Sequence, residues 1–324
     1  NLTPMLLWGP SRMAYAAHLS LGGDIVEEDE LTRRTEGDMA WRIWGSMTWE
    51  EPWLSGGLYI VARQLERENE ESASHLVLDT AWSYVCPLGE TLELEVEGEL
   101  AFVTGRTSFA RGPAGILVDE EVTQIGAVTR ITLEDQEHDA RYGIEIGYAS
   151  GDADPEDDVD TAFRFDPGRR VGMLLFDEVL SRMSAHRYDQ HGGGGASQWS
   201  GHHQPSQGAV TNALYVAPTL SWALMDGVFD LHAGGVLALA PKALWPKGQE
   251  ESDDATEESP TGPSLLGYEF NTAASVVVDI GDLLKVSLGT QYGIFVTGDA
   301  LTGVSSQKEH DIVHKWRILA DVNW

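Results

Sequence analysis

The carboxyl-terminal stretch from Asp311 to Trp324 reads DIVHKWRILADVNW, and its side chains alternate in polarity with a period of two. In a β-strand successive side chains point to opposite faces, so this period is typical of a strand and not of a helix. One face would carry Ile312, His314, Trp316, Ile318, Ala320, Val322 and Trp324. The other would carry Val313, Lys315, Arg317, Leu319, Asp321 and Asn323. The stretch therefore predicts a strand with one largely apolar face and one largely polar face.

The same alternation recurs along the whole chain and predicts an all-β protein. We predict 12 strands, at residues 13–21, 38–49, 58–64, 74–85, 91–103, 123–133, 140–150, 209–223, 228–239, 268–278, 284–295 and 311–324. The connections between them alternate between long and short, as in an antiparallel up-and-down sheet. A soluble β-sandwich or propeller would also alternate. A closed sheet of this size, however, encloses more volume than apolar side chains could fill, so the apolar faces are expected to point outward into lipid.

The fold class that follows is a transmembrane antiparallel up-and-down β-barrel, with residues 1–324 as one domain. Its polar faces are expected to line a water-filled lumen. The predicted lumen-lining residues are Glu93, Glu95, Glu97, Glu99, Arg141, Glu145, Asp230, His232, Glu269, Lys285, Lys315 and Arg317. The four glutamates stand in one row on the strand from Thr91 to Val103, so the lumen is expected to be acidic.

Composition limits the remaining choices. The net charge of -31 excludes nucleic acid as a partner, because phosphate would be repelled. Cys86 is the only cysteine, so no intramolecular disulfide can form. No apolar run reaches the length of a spanning helix. The chain opens with NLTPMLLWGP, which has neither an initiator methionine nor a secretion signal, so we expect a removed signal or missing upstream strands.

A chain that ends on an aromatic residue, with apolar residues at alternate positions before it, resembles the closing strand of bacterial outer-membrane β-barrels. In such proteins this pattern is also read by the barrel-assembly machinery. The residues that would carry it here are Trp316, Ile318, Ala320, Val322 and Trp324. The resemblance implies an integral protein of the bacterial outer membrane, in contact with lipid and lipopolysaccharide, with its termini in the periplasm. The alternative is an amphipathic edge strand of a soluble sheet.

Aromatic residues near the strand ends are expected to form two interfacial girdles. The short-turn side would carry Trp49, Trp82, Trp222 and Trp324, and the long-loop side Tyr148 and Tyr268.

The segment leaving the predicted strand at 140–150 reads IEIGYASGDADPEDDVDTAFRFDPGRRVGMLLFDEVL. Its aromatic-Ala-Ser-Gly-Asp-x-Asp-Pro run, with a second aromatic-Asp-Pro patch at Phe165, Asp166 and Pro167, resembles the alginate-export type of outer-membrane barrel and its uncharacterised relatives. The resemblance implies a monomeric barrel of up to about 18 strands, of which the predicted strands would be the carboxyl-terminal part. That family is associated with a basic, arginine-lined pore, whereas the glutamate row here repels a polyanion. We therefore expect a neutral or cationic solute, or no cargo at all.

The long segment 151–208 is predicted to be an extracellular loop with two candidate sites. The first is a run of acids suited to calcium, namely Asp152, Asp154, Asp157, Asp158 and Asp160, and its alternative is a solvated acidic loop. The second is a helix over 168–184, started by Asp166 and Pro167 and apolar at helical spacing. Folded into the lumen, this helix would be a plug or gate; otherwise it caps the mouth of the barrel.

These features favour an outer-membrane channel, porin-like or contributing to export of a surface polymer. The alternative is a plugged structural barrel that anchors a cell-envelope complex for secretion, adhesion or gliding, with proteins of that complex as partners. We do not expect an enzyme, because the sequence has no Ser-His-Asp pattern, phosphate loop or HExxH motif. No cofactor is expected apart from calcium.

Overall fold

The computed structural model describes residues 5–8, 11–22, 39–66, 72–111, 117–152, 158–166, 168–184, 206, 208–225, 227–242, 263–280, 284–302 and 311–323. Nearly all of these residues belong to β-strands. The strands are β1 (Met5–Trp8), β2 (Ser11–Gly22), β3 (Met39–Glu50), β4 (Leu54–Glu66), β5 (Ser72–Pro87), β6 (Leu92–Arg111), β7 (Leu117–Asp135), β8 (Ala140–Ala149), β9 (Val159–Asp160), β10 (Ala213–Leu224), β11 (Phe229–Ala240), β12 (Ser264–Ile280), β13 (Leu284–Thr297) and β14 (Ile312–Asn323).

The strands form one sheet in which each pairs with its neighbour in sequence. The order runs from β1 to β8 and from β10 to β14, with every pair antiparallel, and β9 adds a short parallel pairing to β7. The predicted antiparallel up-and-down sheet is confirmed, and the 12 predicted strands correspond to β2–β8 and β10–β14. Within the described residues no ladder joins β1 to β14, so the sheet is not closed there.

Two strands are much longer than the side-chain pattern predicts. The alternation fades after Val103, but β6 continues to Arg111 and pairs with β7 back to Leu117. Backbone hydrogen bonds hold this extension, because a ladder needs paired N–H and C=O groups and not an apolar face. The predicted long connection between the two strands is therefore reduced to residues 112–116.

One face of the sheet, here called the outer face, exposes large apolar side chains on every strand from β3 to β14 of the up-and-down path. Examples, one per strand, are Ile43, Ile60, Leu76, Leu100, Ile131, Ile146, Leu220, Leu237, Phe270, Leu288 and Ile318. The exposed fraction reaches 81% at Ile318. Soluble monomers rarely expose contiguous apolar surface on this scale.

Two tryptophans on the outer face cover glycines on neighbouring strands. Trp49 lies opposite Gly56, and Trp82 lies opposite Gly98. A Cβ atom built on either glycine would fall 2.0 Å from the facing indole ring, so the rings occupy the space that these glycines leave. Both pairs lie toward the strand ends joined by short connections, which is the side predicted for one aromatic girdle.

The opposite, inner face packs against the segment formed by residues 158–166 and 168–184, here called the inner segment. Backbone bonds begin it, from Phe163 N to Ser150 O at 3.0 Å and from Phe165 N to Val210 O at 3.0 Å. A helix of π type covers Leu175–Leu180 and continues in α geometry through residue 184. This is shorter than the helix predicted over 168–184, because Gly172 adopts a φ of +68° that a right-handed helix does not allow.

The buried core lies between the inner segment and the inner face. Leu174, Leu175 and Phe176 are each 1% exposed or less. They pack with inner-face residues Tyr215, Val236, Leu266 and Phe295. Elsewhere, a short α-helix spans Asp299–Thr302. None of the helices in the described part of the chain has the length and apolar character needed to cross a membrane.

Candidate functional site at the inner face

The strand register brings the predicted charged residues together in rows across the inner face. Glu97 on β6 lies opposite Arg130 on β7, and Arg130 lies opposite Glu145 on β8. Glu93, Glu95 and Glu99 share the face of Glu97, since they are spaced by two residues along the same strand. In the row Glu97–Arg130–Glu145 the charges alternate in sign across the three strands, so neighbouring side chains attract one another.

Glu145 is the centre of a buried polar network that ties the inner segment to the wall. It is 9% exposed, and it accepts a hydrogen bond of 2.6 Å from the Tyr215 hydroxyl. Its Oε2 atom lies 2.6 Å from Arg130 Nη2 and 3.1 Å from Arg169 Nη2 of the inner segment. The ion pair between Arg130 and Glu97 is longer, with 3.7 Å between Arg130 Nη1 and Glu97 Oε2.

Glu269 on β12 holds the start of the inner helix. Its carboxylate is 3% exposed and accepts hydrogen bonds from the backbone N–H groups of Met173, Leu174 and Leu175. These N–H groups have no partner within the helix because they lie at its amino-terminal end, from Met173 just before the N-cap to the first helical residue, Leu175. A carboxylate at a helix amino terminus also interacts favourably with the helix dipole. Glu269 thus satisfies the helix end while its own buried charge is balanced.

Lys315 and Arg317 on β14 hold the same helix from the other side. Arg317 Nη2 lies 2.8 Å from Asp177 Oδ2, and Lys315 donates to Glu178 Oε1. The hydrogen bond from Lys315 holds the pKa of the Glu178 carboxyl below its ordinary value. Within the inner segment, Arg170 pairs with the other oxygen of Asp177.

These contacts show that the inner face is concave. Strands β8 and β14 are five spacings apart, roughly 24 Å along a flat sheet. Arg169 pairs with Glu145 on β8, while its neighbour Arg170 reaches Arg317 on β14 through Asp177 alone. One compact segment can contact both strands only if the sheet curves around it.

The remaining predicted residues are placed less centrally. Arg141 lies on the inner face and pairs with Glu134 at 3.3 Å. Asp230 and His232 lie on the inner face of β11, where His232 Nδ1 is 3.0 Å from Ser221 Oγ. The Lys285 backbone pairs with Asn323 in the β13–β14 ladder, and its side chain lies outside the described residues.

Cavities open between the inner segment and the inner face among the described residues. One of about 740 Å³ lies against β3–β7 and Arg169. A second of about 460 Å³ lies against β10–β14 and Arg170, and a third of about 360 Å³ lies between them beside Glu95 and Arg141. The inner segment therefore leaves solvent-sized space on both of its sides.

The acidic run proposed for calcium is only partly described. Asp152 accepts a hydrogen bond from Thr161 N, and Asp160 accepts from Ala162 N and Gln124. Asp154 and Asp157 lie outside the described residues. Asp158 is described, and its backbone carbonyl accepts from Glu121 N. No group of three potential metal ligands occurs among the residues that the structure covers, so calcium remains a prediction.

Of the predicted barrel-closing residues, Trp316, Ile318 and Ala320 lie on the outer face of β14. Trp316 is 66% exposed and packs on Tyr292 of β13 at a ring separation of 5.7 Å. Ala320 and Val322 pair opposite Leu288 and Val286 in the ladder. Trp324 lies outside the described part of the chain.

Several residues of the site carry no signal that would single them out in the sequence. Arg169, Asp177, Glu178 and Tyr215 look like ordinary members of an amphipathic helix and a strand. The sequence does place Gly168, Arg169 and Arg170 at the start of the predicted helix in a chain rich in acidic residues. Two adjacent arginines in such a chain indicate that the segment could pair with carboxylates of the inner face.

No protein-family model and no curated protein matches the sequence. Among solved structures, the chain is similar to OccK11 (OpdR) of Pseudomonas aeruginosa, with 10% identity over 99% of this chain and 79% of that one, at a TM-score of 0.41. It is also similar to the outer membrane protein OprD from Pseudomonas aeruginosa, with 11% identity over 99% of this chain and 85% of that one, at a TM-score of 0.42.

Proposed function

We propose that this protein is a bacterial outer-membrane β-barrel channel whose lumen is narrowed by the inner segment. The observation that carries the proposal is the division of the sheet into two faces. Exposed apolar side chains cover the outer face from β3 to β14, while the concave inner face carries charged side chains and cavities large enough to hold many water molecules. This is the arrangement that lipid outside and water inside require.

The row of glutamates on β6 supports a preference for cations or neutral solutes over anions. Arg130 is engaged mainly by Glu145, at 2.6 Å, so the charge of this row is only partly balanced. Like charges repel in a narrow channel with low-dielectric walls. Export of an anionic polymer is therefore disfavoured, whereas passage of small cations is favoured.

Planar-bilayer recording of the purified chain tests the channel. We expect a steady ion current and a reversal potential that indicates cation preference. Replacement of Glu93, Glu95, Glu97 and Glu99 by glutamine should lower this preference. The matched control replaces Glu90 and Glu137, two exposed acids in the short connections, and should leave the preference unchanged.

Absence of current both for the intact chain and for a variant without Phe165–His203 would remove the channel proposal.

A structural role is the second candidate, and the strength of the docking favours it. Three buried or half-buried anchors, Glu145, Glu269 and Lys315, hold the inner segment beside a large apolar core. A barrel blocked in this way would serve as an anchor for an envelope complex. Isolation from gently solubilised membranes with stoichiometric partner proteins, and without conductance, would support this role.

A further inference from the structure

The cavity against β3–β7 has a floor of small residues. Two adjacent rows of the ladder cross it, Glu50–Ser55–Ser83–Glu97 and Thr48–Gly57–Ala81–Glu99. On β4 and β5 all four floor positions are Ser, Gly or Ala, whereas glutamates stand on β3 and β6 at the two sides. Small side chains between large ones leave a hollow in the wall, and its volume is about 740 Å³. This volume is in the range of sites for small organic ligands.

The charges around this hollow are not balanced within the described structure. Glu99 has no ion-pair partner among the described residues, and Glu97 lies 3.7 Å from Arg130. The two cationic residues that border the hollow, Arg130 and Arg169, are both held by Glu145, at 2.6 and 3.1 Å. Three carboxylates, Glu97, Glu99 and Glu145, thus face two guanidinium groups, and the hollow attracts a cation.

The neutral groups of the hollow are suited to hydroxyls. Ser55, Ser83 and Thr48 each carry a hydroxyl that can donate and accept. The carboxylates at the side would bind a positively charged amine, and the hydroxyl groups of the floor would hydrogen-bond to hydroxyl groups of the ligand. The hollow is therefore suited to a ligand with one amine and several hydroxyl groups.

We propose that this hollow is a binding site for small hydroxylated organic ammonium ions, of which an amino sugar is the simplest example. The ammonium group interacts with Glu97 and Glu99, and its hydroxyls with the floor. Charge-assisted hydrogen bonds of this kind are about twice as strong as neutral ones, so the amine dominates recognition. The proposal rests on the proposed channel for its biological meaning, because it names the class of solute that the lumen would favour.

Isothermal titration calorimetry of the full chain in detergent, with protonated D-glucosamine as the probe, tests the site. We expect saturable binding that D-glucose, which lacks the amine, and D-gluconate, which is an anion, do not reproduce. The double variant E97Q/E99Q should weaken binding at least about tenfold, the loss expected when charged hydrogen bonds become neutral. Its fold is checked by circular dichroism.

The matched control is E93Q/E95Q, which removes the same charge from the same face of β6 outside the hollow. It should change the affinity by no more than about twofold, because neither carboxylate lines the hollow or can reach the ammonium group. A second variant, A81L, places a larger side chain on the floor without altering any charge and should weaken binding. Equal weakening by both double variants, unchanged affinity in E97Q/E99Q, no binding by the intact chain, or equal binding of D-glucose would each overturn the proposal.

The same probe in planar bilayers separates this site from the proposed channel. Binding in detergent without any ion current would leave the site standing and remove the channel. A cation-selective current without glucosamine binding would leave the channel standing and remove the site.

Discussion

At the scale of single residues, the side chain with the most specific role is Glu269. A buried carboxylate that accepts from three consecutive backbone N–H groups cannot be replaced without leaving those donors unpaired. Unsatisfied buried donors cost about 1–3 kcal/mol, and more when the lost partner was charged.

We therefore expect E269A to lower the free energy of unfolding by about 2–4 kcal/mol and to release the inner segment. Urea unfolding in detergent measures the first effect, and an increase in single-channel conductance measures the second. The control is E95A, which removes an inner-face glutamate that borders a cavity and holds no helix end. Equal stability of E269A and E95A would contradict the assigned role.

Gly172 combines a left-handed backbone conformation with close neighbours. Its φ of +68° favours glycine, and an added Cβ would lie 2.8 Å from Val236 Cγ2 and 2.9 Å from Glu269 Oε1. Gly227 in the β10–β11 turn has a φ of +81° but open space around it. G227A should therefore cost about 1–2 kcal/mol for the backbone alone, and G172A clearly more because crowding is added. Thermal unfolding of the two variants checks the order.

The sequence predicts some of these residues and not others, for a physical reason. Strand parity placed Lys315 and Arg317 on the face away from Trp316 and Ile318, because alternation is a local property. The partners of Glu269 lie 94 to 96 residues away in sequence, and no local pattern encodes such a contact. Asp79 Oδ1 is buried without a partner among the described residues, and nothing in the sequence explains it.

At the scale of elements, the inner helix depends on ion pairs with β14. Glu178 interacts with Lys315, Arg182 and Arg317, and its pKa is lowered mainly by the hydrogen bond from Lys315. A carboxyl with a lowered folded-state pKa contributes stability that is fully present above its ordinary value of 4.5 and is lost as the pH falls through the lower folded value.

Acidification below the ordinary value should therefore loosen the helix and raise conductance. Recording between neutral pH and acidic pH measures this, and E178Q should show higher conductance already at neutral pH with a weaker dependence on pH. A pH profile that E178Q leaves unchanged would show that another group controls the transition.

The two faces of a strand are the second element-scale feature. Ile146 on β8 points outward and is 43% exposed, whereas Thr219 on the neighbouring β10 points inward beside His232. An arginine on the lipid face of a barrel costs about 2–4 kcal/mol near the midplane. We expect I146R to lower the free energy of unfolding in lipid vesicles by that amount, and T219R to leave it nearly unchanged. Urea titration of both variants measures this. The reverse order would assign the apolar face to the interior.

Element boundaries show where local prediction ends. The helix was predicted to begin at Gly168 because Asp166 and Pro167 are good starting residues. The structure begins it at Leu175, because the helix end is fixed by Glu269 and not by the local sequence. Likewise β6 and β7 extend beyond the apolar pattern, since their length is set by backbone pairing.

At the scale of the whole molecule, the antiparallel order follows from the short connections alone, which is why it could be predicted. The curvature of the sheet could not be predicted from the sequence, because it results from many small rotations between strands and from the inner segment that the sheet surrounds. The hollow beside Glu97 and Glu99 also escapes sequence analysis, since its small floor residues come from β4 and β5 and only the register unites them.

The contacts between the inner segment and β14 have a consequence for the order of assembly. Lys315 and Arg317 are separated from Met173, Asp177 and Glu178 by 137 to 142 residues. Contacts of such long range form slowly, because the intervening chain must first be ordered. The segment can therefore complete its contacts only once β14 has paired with β13.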